Sequence, residues 1–521
     1  MPTPLLKLDS LPQLGSSLVV NASSLTVELP QPPRKFYRHG WQSWSLSTWL
    51  DPSEPPLPIR AAEFRAKDED PAYAFHTNHI SAWVGAVEIE EDDILLVGAL
   101  GLGGRVEVVG RTIKGFYEPV GQIGKLSYEW LIVRGKETES FAAYASILET
   151  KFGKTRFEKP PRVWCSWYSL LKWISERNLL KALRNLGDLP FDIFQLDDGW
   201  QDNSGQWEPN NKFPSGMTSF ADKIKSTGRK AGIWLAPFIT SEKERLFHDH
   251  QDWLLRDEQG NLVRTGLHWT DNTFALDLSQ PEVLEWLDKL IRKVVGWGYE
   301  YLKLDFLHAG AAVGKRYADI PREEAYRNAM QVMRSAADSA YILACGAPII
   351  PSLGLCDGIR VGPDVTPFWL NIPLSVWLNN PNDLATRNGI RTSIHRLWLK
   401  KLVNLDPDVM FFRTKHNTLK PHENQLLQDL GAITGFKATS DLPQWLGKEE
   451  MNSLKNFFAS DFRVEQFGRY EFGIDGRKTD FASVVPIPKS TKNIPVWLAK
   501  NLGLLKIIRY EVLPAILGSK L

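Results

Sequence analysis

Apolar and polar residues alternate along the chain up to about Glu158. Segments such as SLVVNASSLTVEL, AWVGAVEIEEDDILLVGAL and RVEVVGRTIKGFYEPV change face at every second residue and are broken by Gly, Asn and acidic turns. This period belongs to half-buried strands and predicts an N-terminal β-sandwich over residues 1–158. From about Pro160 the pattern changes. Short apolar strands (RVWCSWYS, FDIFQLDD, KAGIWLAPF, YEYLKLDFL, AYILACGAP, DGIRVGPD and VMFFR) alternate with amphipathic helices (SERNLLKALRNLG, SFADKIKSTG, PEVLEWLDKLIRKVVGWG, PREEAYRNAMQVMRSAAD and Arg391–Lys401). About eight such βα units imply parallel strands closed into a (β/α)8 TIM barrel over residues 159–447. Past Gly447 the text is strand-like again (FRVEQFGRYEFGIDG), which predicts a small C-terminal β-rich domain over residues 448–521. The expected class is therefore α/β, a barrel flanked by two β domains.

Composition narrows the function. Lys+Arg 62 against Asp+Glu 61 leaves a net charge of +1, which gives nucleic acid or an anionic membrane no electrostatic hold. The three cysteines, Cys165, Cys345 and Cys356, lack paired spacing, so neither a disulfide framework nor a zinc site is expected. MPTPLLKLDSLPQLG lacks the basic stretch and unbroken apolar run of a secretory leader, and no window is apolar enough to span a bilayer. The expectation is a cytoplasmic protein. VWLAKNLGLLKIIRYEVLPAILG is unusually apolar, but Arg, Glu and Pro interrupt it; packing against the barrel or a partner subunit is expected, which leaves room for a homo-oligomer. Tryptophan, at Trp 20, suits a site that stacks on sugar C–H faces, and equally suits a large core. GALGLGG reads as a strand turn, because the Lys-Ser/Thr ending of a phosphate loop is missing.

Polar residues gather after the strands: Asp197 and Asp198, Trp234, Asp305, Cys345 and Asp364. In a barrel these positions surround one mouth. Two carboxylates facing each other there are the minimum equipment of a glycosidase. Lys303, two residues before Asp305 on the same strand face, would keep that acid ionised as a nucleophile. Asp364, nearer the rim, suits the group that holds a proton. Taken singly, each acid also reads as a helix cap or ion-pair partner, Asp198-Gly199 as a turn, and the acidic cluster as a site for Mg²⁺ or Ca²⁺. His308 reads as a structural hydrogen-bonder, and Asp357 remains a rival to Asp364.

Seven motifs in order, WCSWYS (164–169), FQLDDGWQ (194–201), GQWEPNNKFPSGM (205–217), GIWLAPF (232–238), YLKLDF (301–306), ACGAP (344–348) and IRVGPD (359–364), resemble the α-galactosidases of glycoside hydrolase family 36. These share a clan with the family 27 α-galactosidases and the raffinose synthases. The resemblance covers roughly residues 160–415 and extends to GWQSWS (40–45), similar to a loop that family members send over the site. It implies a retaining double displacement without a cofactor or metal. Asp305 would be the nucleophile and Asp364 the acid/base. Asp197 and Asp198 would take the 4- and 6-hydroxyls of galactose, and Trp234 and Trp167 would wall the ring. Lys303 and Arg360 would bind hydroxyls, Cys345 would line the floor, and Tyr168 with Trp41 or Trp44 would edge the mouth. The implied partner is a small α-galactoside. An α-galactosyl transglycosylase, a related α-glycosidase and a non-catalytic sugar-binding protein remain as alternatives. Beyond Gly447 no segment matches the family.

Overall fold

The computed structural model describes residues 4–8, 17–118, 128–268, 271–490 and 493–514. The central sheet has eight strands: β1 (Arg162–Cys165), β2 (Ile193–Leu196), β3 (Lys230–Leu235), β4 (Tyr299–Leu304), β5 (Tyr341–Ala344), β6 (Gly358–Arg360), β7 (Asn404–Asp406) and β8 (Lys437–Thr439). Each is parallel to its neighbours in the order β7-β6-β5-β4-β3-β2-β1-β8. The remaining gap is bridged by the Met410 amide, which donates to the Ala438 carbonyl at 2.8 Å. Strands buried on both faces read as continuous apolar runs, and β2 and β5 are buried throughout.

The helices show how local sequence sets this frame. Glu176–Leu186 opens on a capping box, in which Ser175 Oγ accepts the Asn178 amide at 3.3 Å and Asn178 Oδ1 accepts the Ser175 amide at 2.8 Å. Leu179, Ala182, Leu183 and Leu186 then face the sheet at helical spacing. Gly216–Lys225, Pro281–Gly296 and Arg322–Ala337 fall where periodicity places them.

Three local expectations are corrected. VMFFR is not a strand: the seventh strand is the shorter, more polar Asn404–Asp406, and VMFFR follows as buried coil that closes the barrel. The helix expected over Arg391–Lys401 begins earlier, at Thr386, ends at Ile394 and gives way to a 3-10 turn at Leu397–Lys401. A helix at Glu137–Phe152 lies inside the stretch read as alternating strands, burying Phe141, Tyr144, Ala145 and Leu148 on one face.

The N-terminal part is a two-sheet β-structure of five and six strands. GALGLGG connects strand Asp93–Ala99 of one sheet to strand Gly104–Val109 of the other, and the Gly103 amide donates to Glu323 Oε2 at 2.7 Å. Glu323 stands in the first turn of Arg322–Ala337 and also accepts the indole N–H groups of Trp41 (3.0 Å) and Trp83 (2.9 Å) and the guanidinium of Arg105 (3.0 Å). One buried carboxylate thus ties the sandwich to the barrel.

The C-terminal part is mixed rather than mainly β. A helix, Lys448–Ala459, precedes a three-stranded antiparallel sheet, and the apolar segment forms a helix at Val496–Ile507 that continues as a widened turn to Val512. Among the described residues no helix is long and apolar enough to cross a membrane.

Candidate active site

The C-terminal ends of β2, β3, β4 and β6 open onto a cavity of about 530 Å³. Asp305 follows β4, and its carboxylate accepts the Trp234 indole N–H at 3.0 Å and the Phe306 amide at 2.8 Å. Burial works to raise its pKa. The Lys303 charge and three donors, from Trp234, Phe306 and the Cys345 thiol, outweigh that effect and hold it below the usual carboxylate value.

Asp197 and Asp198 follow β2, both buried. Asp197 Oδ2 accepts from Lys303 Nζ (2.9 Å), Gln195 Nε2 (2.7 Å) and the Cys165 thiol (3.4 Å), and Oδ1 accepts the Asp198 amide (2.9 Å). Asp198 is held by Gln201 Nε2 at 2.7 Å and lies 3.0 Å from His268 Nε2. This answers how two adjacent acids persist at the end of an apolar strand: each is surrounded by donors that replace water. Gly199 makes the turn possible. Its φ is +114°, and a Cβ there would lie 2.6 Å from the Lys172 carbonyl oxygen.

Asp364 stands beyond β6, its side chain 37% exposed. Arg360 holds it at 2.9 Å and also reaches Asp406 and Asp408, each at 3.0 Å. Partial withdrawal from water at the cavity mouth pushes Asp364 up, against the pull of Arg360 and Lys303, and the charge of Asp305 adds to the rise. The two acids are therefore displaced in opposite directions, the pattern of an acid–nucleophile pair. Asp357 sits at the opposite end of β6, bound to Arg334 at 2.9 Å and to Arg156 at 3.3 Å, which removes it as a rival.

Of the other residues singled out in the sequence, Trp44, Trp167, Trp234 and Lys303 line the cavity with the four acids. Arg360, Cys345, Tyr168 and Trp41 do not. Arg360 lies behind Asp364, and Cys345 lies beneath Asp305. The Tyr168 hydroxyl donates to Asp408, and Trp41 is turned away to Glu323. The GWQSWS loop is fixed by Arg396, which donates to the carbonyls of Gly40 (3.0 Å), Gln42 (2.9 Å), Ser43 (2.5 Å) and Ser45 (3.0 Å). His308 is buried against the Gly346 backbone, its ring 5.7 Å from that of Trp44, and burial lowers it to about 4.

A family model described as Melibiase matches residues 137–338. The solved structure of TtGalA, an alpha-galactosidase from Thermus thermophilus in complex with p-nitrophenyl alpha-D-galactopyranoside, is 42% identical, with a TM-score of 0.85, covering 91% of this chain and 95% of that one. The chain belongs to glycoside hydrolase family 36, the melibiases. Among curated melibiase relatives, alpha-galactosidase Mel36A of Lactobacillus acidophilus is 22% identical over 369 residues, 68% of this chain and 47% of that protein. The probable alpha-galactosidase C of Aspergillus flavus is 28% identical over 182 residues, 31% of this chain and 23% of its own length. The alignments thus span about a quarter to a half of these curated relatives. The family 36 enzyme AgaA of Geobacillus stearothermophilus shares the fold, with a TM-score of 0.59 at 15% identity, covering 85% of this chain and 63% of that one.

Several residues of this melibiase site escaped the sequence. His268 comes from a three-stranded insertion, Ile239–Ala275, between β3 and the next helix, and stacks on Trp234 with ring centroids 5.7 Å apart. Lys67 and Asp68 reach the cavity from a short helix of the N-terminal part, and burial raises Asp68 to about 6. Asn380 donates to Asp68 at 3.1 Å and lines the cavity with Asn382. The NPND stretch was the available signal. Nothing in local pattern marked His268 or Lys67.

Proposed function

We propose that this protein hydrolyses terminal non-reducing α-galactosides by double displacement. The observation that carries the reading is the pair Asp305 and Asp364, lining one cavity with pKa values displaced in opposite directions. The neighbour TtGalA, whose structures hold p-nitrophenyl alpha-D-galactopyranoside and stachyose, supports the substrate class.

In this mechanism Asp305 attacks the anomeric carbon while protonated Asp364 gives its proton to the leaving oxygen. The product of this step is a β-linked galactosyl ester on Asp305. Asp364, now ionised, takes a proton from water, which attacks the ester and regenerates both acids. Asp197 and Asp198 accept the 4- and 6-hydroxyls; Trp234, Trp167 and Trp44 wall the ring. Arg360 acts by holding acids rather than by binding sugar, since its nitrogens already face Asp364, Asp406 and Asp408, whereas Lys303, in the cavity lining, holds Asp197 and keeps donors for a sugar hydroxyl.

The test is a screen of chromogenic α-glycosides, with the first-formed anomer followed by NMR. Turnover of α-galactosides with release of α-galactose is expected. Release of β-galactose would replace double displacement with a single inversion. A preference for α-glucosides would displace the galactoside reading, and dominant transfer to sugar acceptors would favour a transglycosylase.

A further inference from the structure

The apolar C-terminal segment, which resembles nothing in the family motifs, forms one wall of the active-site cavity. Lys500, Asn501, Leu504, Ile507 and Glu511 all line it. Their spacing places them on one face of a helix. The other face is anchored. Ala499 is buried against Leu374, and a Cβ at Gly503 would lie 2.7 Å from Leu374 Cγ, so two small residues one turn apart let the helix approach closely. Lys506 Nζ donates to the Leu370 carbonyl at 2.8 Å and stands 4.7 Å from the Phe368 ring centre, while Tyr510 packs on the same ring at 6.1 Å. Lys500 pairs with Glu63. Leu370 and Phe368 belong to the loop that follows Asp364, so the helix is fastened to the segment that carries the acid.

Glu511 is the unusual member of this wall. Its Oε1 is withdrawn from solvent and, among the described residues, has no hydrogen-bond partner. Burial raises it to about 8, with the charges of Asp364 and Asp408 adding to the rise. A buried carboxyl left unpaired is costly unless a ligand completes it. The location says which ligand. A glycosidase acid stands against the glycosidic oxygen, so the leaving group lies on the acid's side of the cavity. Glu511 feels Asp364 and faces that side.

We infer that the helix Val496–Ile507 and its extension form the leaving-group wall of the site, and that Glu511 hydrogen-bonds a hydroxyl of the leaving sugar. A carboxyl can donate or accept toward a hydroxyl, and Asn501 adds an amide of the same dual character on the same face. The chemical class recognised is a hydroxyl-rich leaving group, as in raffinose or stachyose, in preference to an aryl group. This rests on the α-galactosidase reading above.

The experiment compares Glu511→Met, which cannot hydrogen-bond a hydroxyl, with the unaltered residue in a full-length Asp305→Asn background, titrating galactose and raffinose by calorimetry. Galactose fills only the sugar pocket, whereas raffinose reaches the wall. Raffinose affinity should weaken by about tenfold and galactose affinity by less than about twofold. In the active chain, kcat/KM for raffinose should fall about tenfold further than for 4-nitrophenyl α-galactoside. Thermal unfolding checks that Glu511→Met is folded, and Asn501→Ala provides a second variant expected to shift the same ratio. If galactose binds but raffinose affinity is unmoved, or both sugars weaken equally, the leaving-group wall is wrong while the α-galactosidase reading stands. If neither sugar binds the parent chain, that reading fails and takes this inference with it.

Discussion

Lys303 Nζ lies 2.9 Å from Asp197 Oδ2, and through this contact one ammonium serves the acids of two strands. Its charge lowers Asp305 while its hydrogen bond holds Asp197. Lys303→Met should therefore raise the Asp305 pKa. Because Asp305 must be ionised to attack, the acidic limb of the kcat/KM profile should move to higher pH, and turnover should fall by about 10²-fold. A pH–rate profile on an aryl galactoside measures both; an unmoved acidic limb would separate Lys303 from the nucleophile.

Asp305→Ala should abolish turnover of every substrate, activated aryl glycosides included, since no other group can form the covalent ester. Added azide should restore turnover and yield β-galactosyl azide, identified by NMR. Near-normal activity of Asp305→Ala would remove the assignment.

Asp364 can be isolated by leaving group. A sugar alkoxide needs the proton that 4-nitrophenolate does not. Asp364→Ala should depress the first step far more for melibiose or raffinose than for 4-nitrophenyl α-galactoside. With the aryl substrate, stopped-flow absorbance should show a burst followed by a slow phase that azide accelerates. Asp357→Ala should instead lose stability without a burst, because it strands Arg334.

Asp198→Asn removes a charged acceptor that Gln201 and His268 orient. Its kcat/KM on α-galactosides should drop by about 2–4 kcal/mol equivalent, roughly 30- to 700-fold, in a protein that still folds. Retention of specificity for galactose over glucose with little loss of rate would point to another residue for the 4-hydroxyl.

Among the described residues Arg396 has no carboxylate partner and donates only to carbonyls, four of them in the GWQSWS loop. Arg396→Met takes their donor from the buried Gly40, Ser43 and Ser45 oxygens, while Gln42 keeps the Ser45 amide. A loss of about 3 kcal/mol in thermal or denaturant unfolding is expected, together with a raised KM as Trp44 loses its fixed position. An unchanged KM would show that Trp44 is held by other contacts.

The barrel was legible because its strands are apolar runs that end abruptly in charge: YLKLDF and FQLDDGW announce both the strand and its mouth. β7 was not, since Asn-Leu-Asp is three residues long and polar, and its neighbour VMFFR is more apolar while forming no ladder. The helix at Glu137–Phe152 carried its signal in Phe141, Tyr144, Ala145 and Leu148, an i, i+3, i+4, i+7 set overlooked amid alternating text. His268 and Glu511 are of another kind. Each is brought to the site by tertiary packing over a long sequence separation, and a local period carries no information about that.

Glu323 has a consequence for folding order. Its four donors, at Trp41, Trp83, Gly103 and Arg105, are all more than 200 residues upstream, and each belongs to the sandwich. A barrel formed without the sandwich would leave the Glu323 carboxylate and the apolar surface around it uncovered, and a sandwich formed alone would leave two indoles and the Gly103 amide without their acceptor, while Arg105 kept Asp70 and Glu118. Neither half is complete as a separate unit. Such reciprocal dependence couples their melting, so heating should produce one calorimetric transition in which both halves unfold together, and a barrel expressed without its sandwich should emerge as a loosely packed, aggregation-prone intermediate.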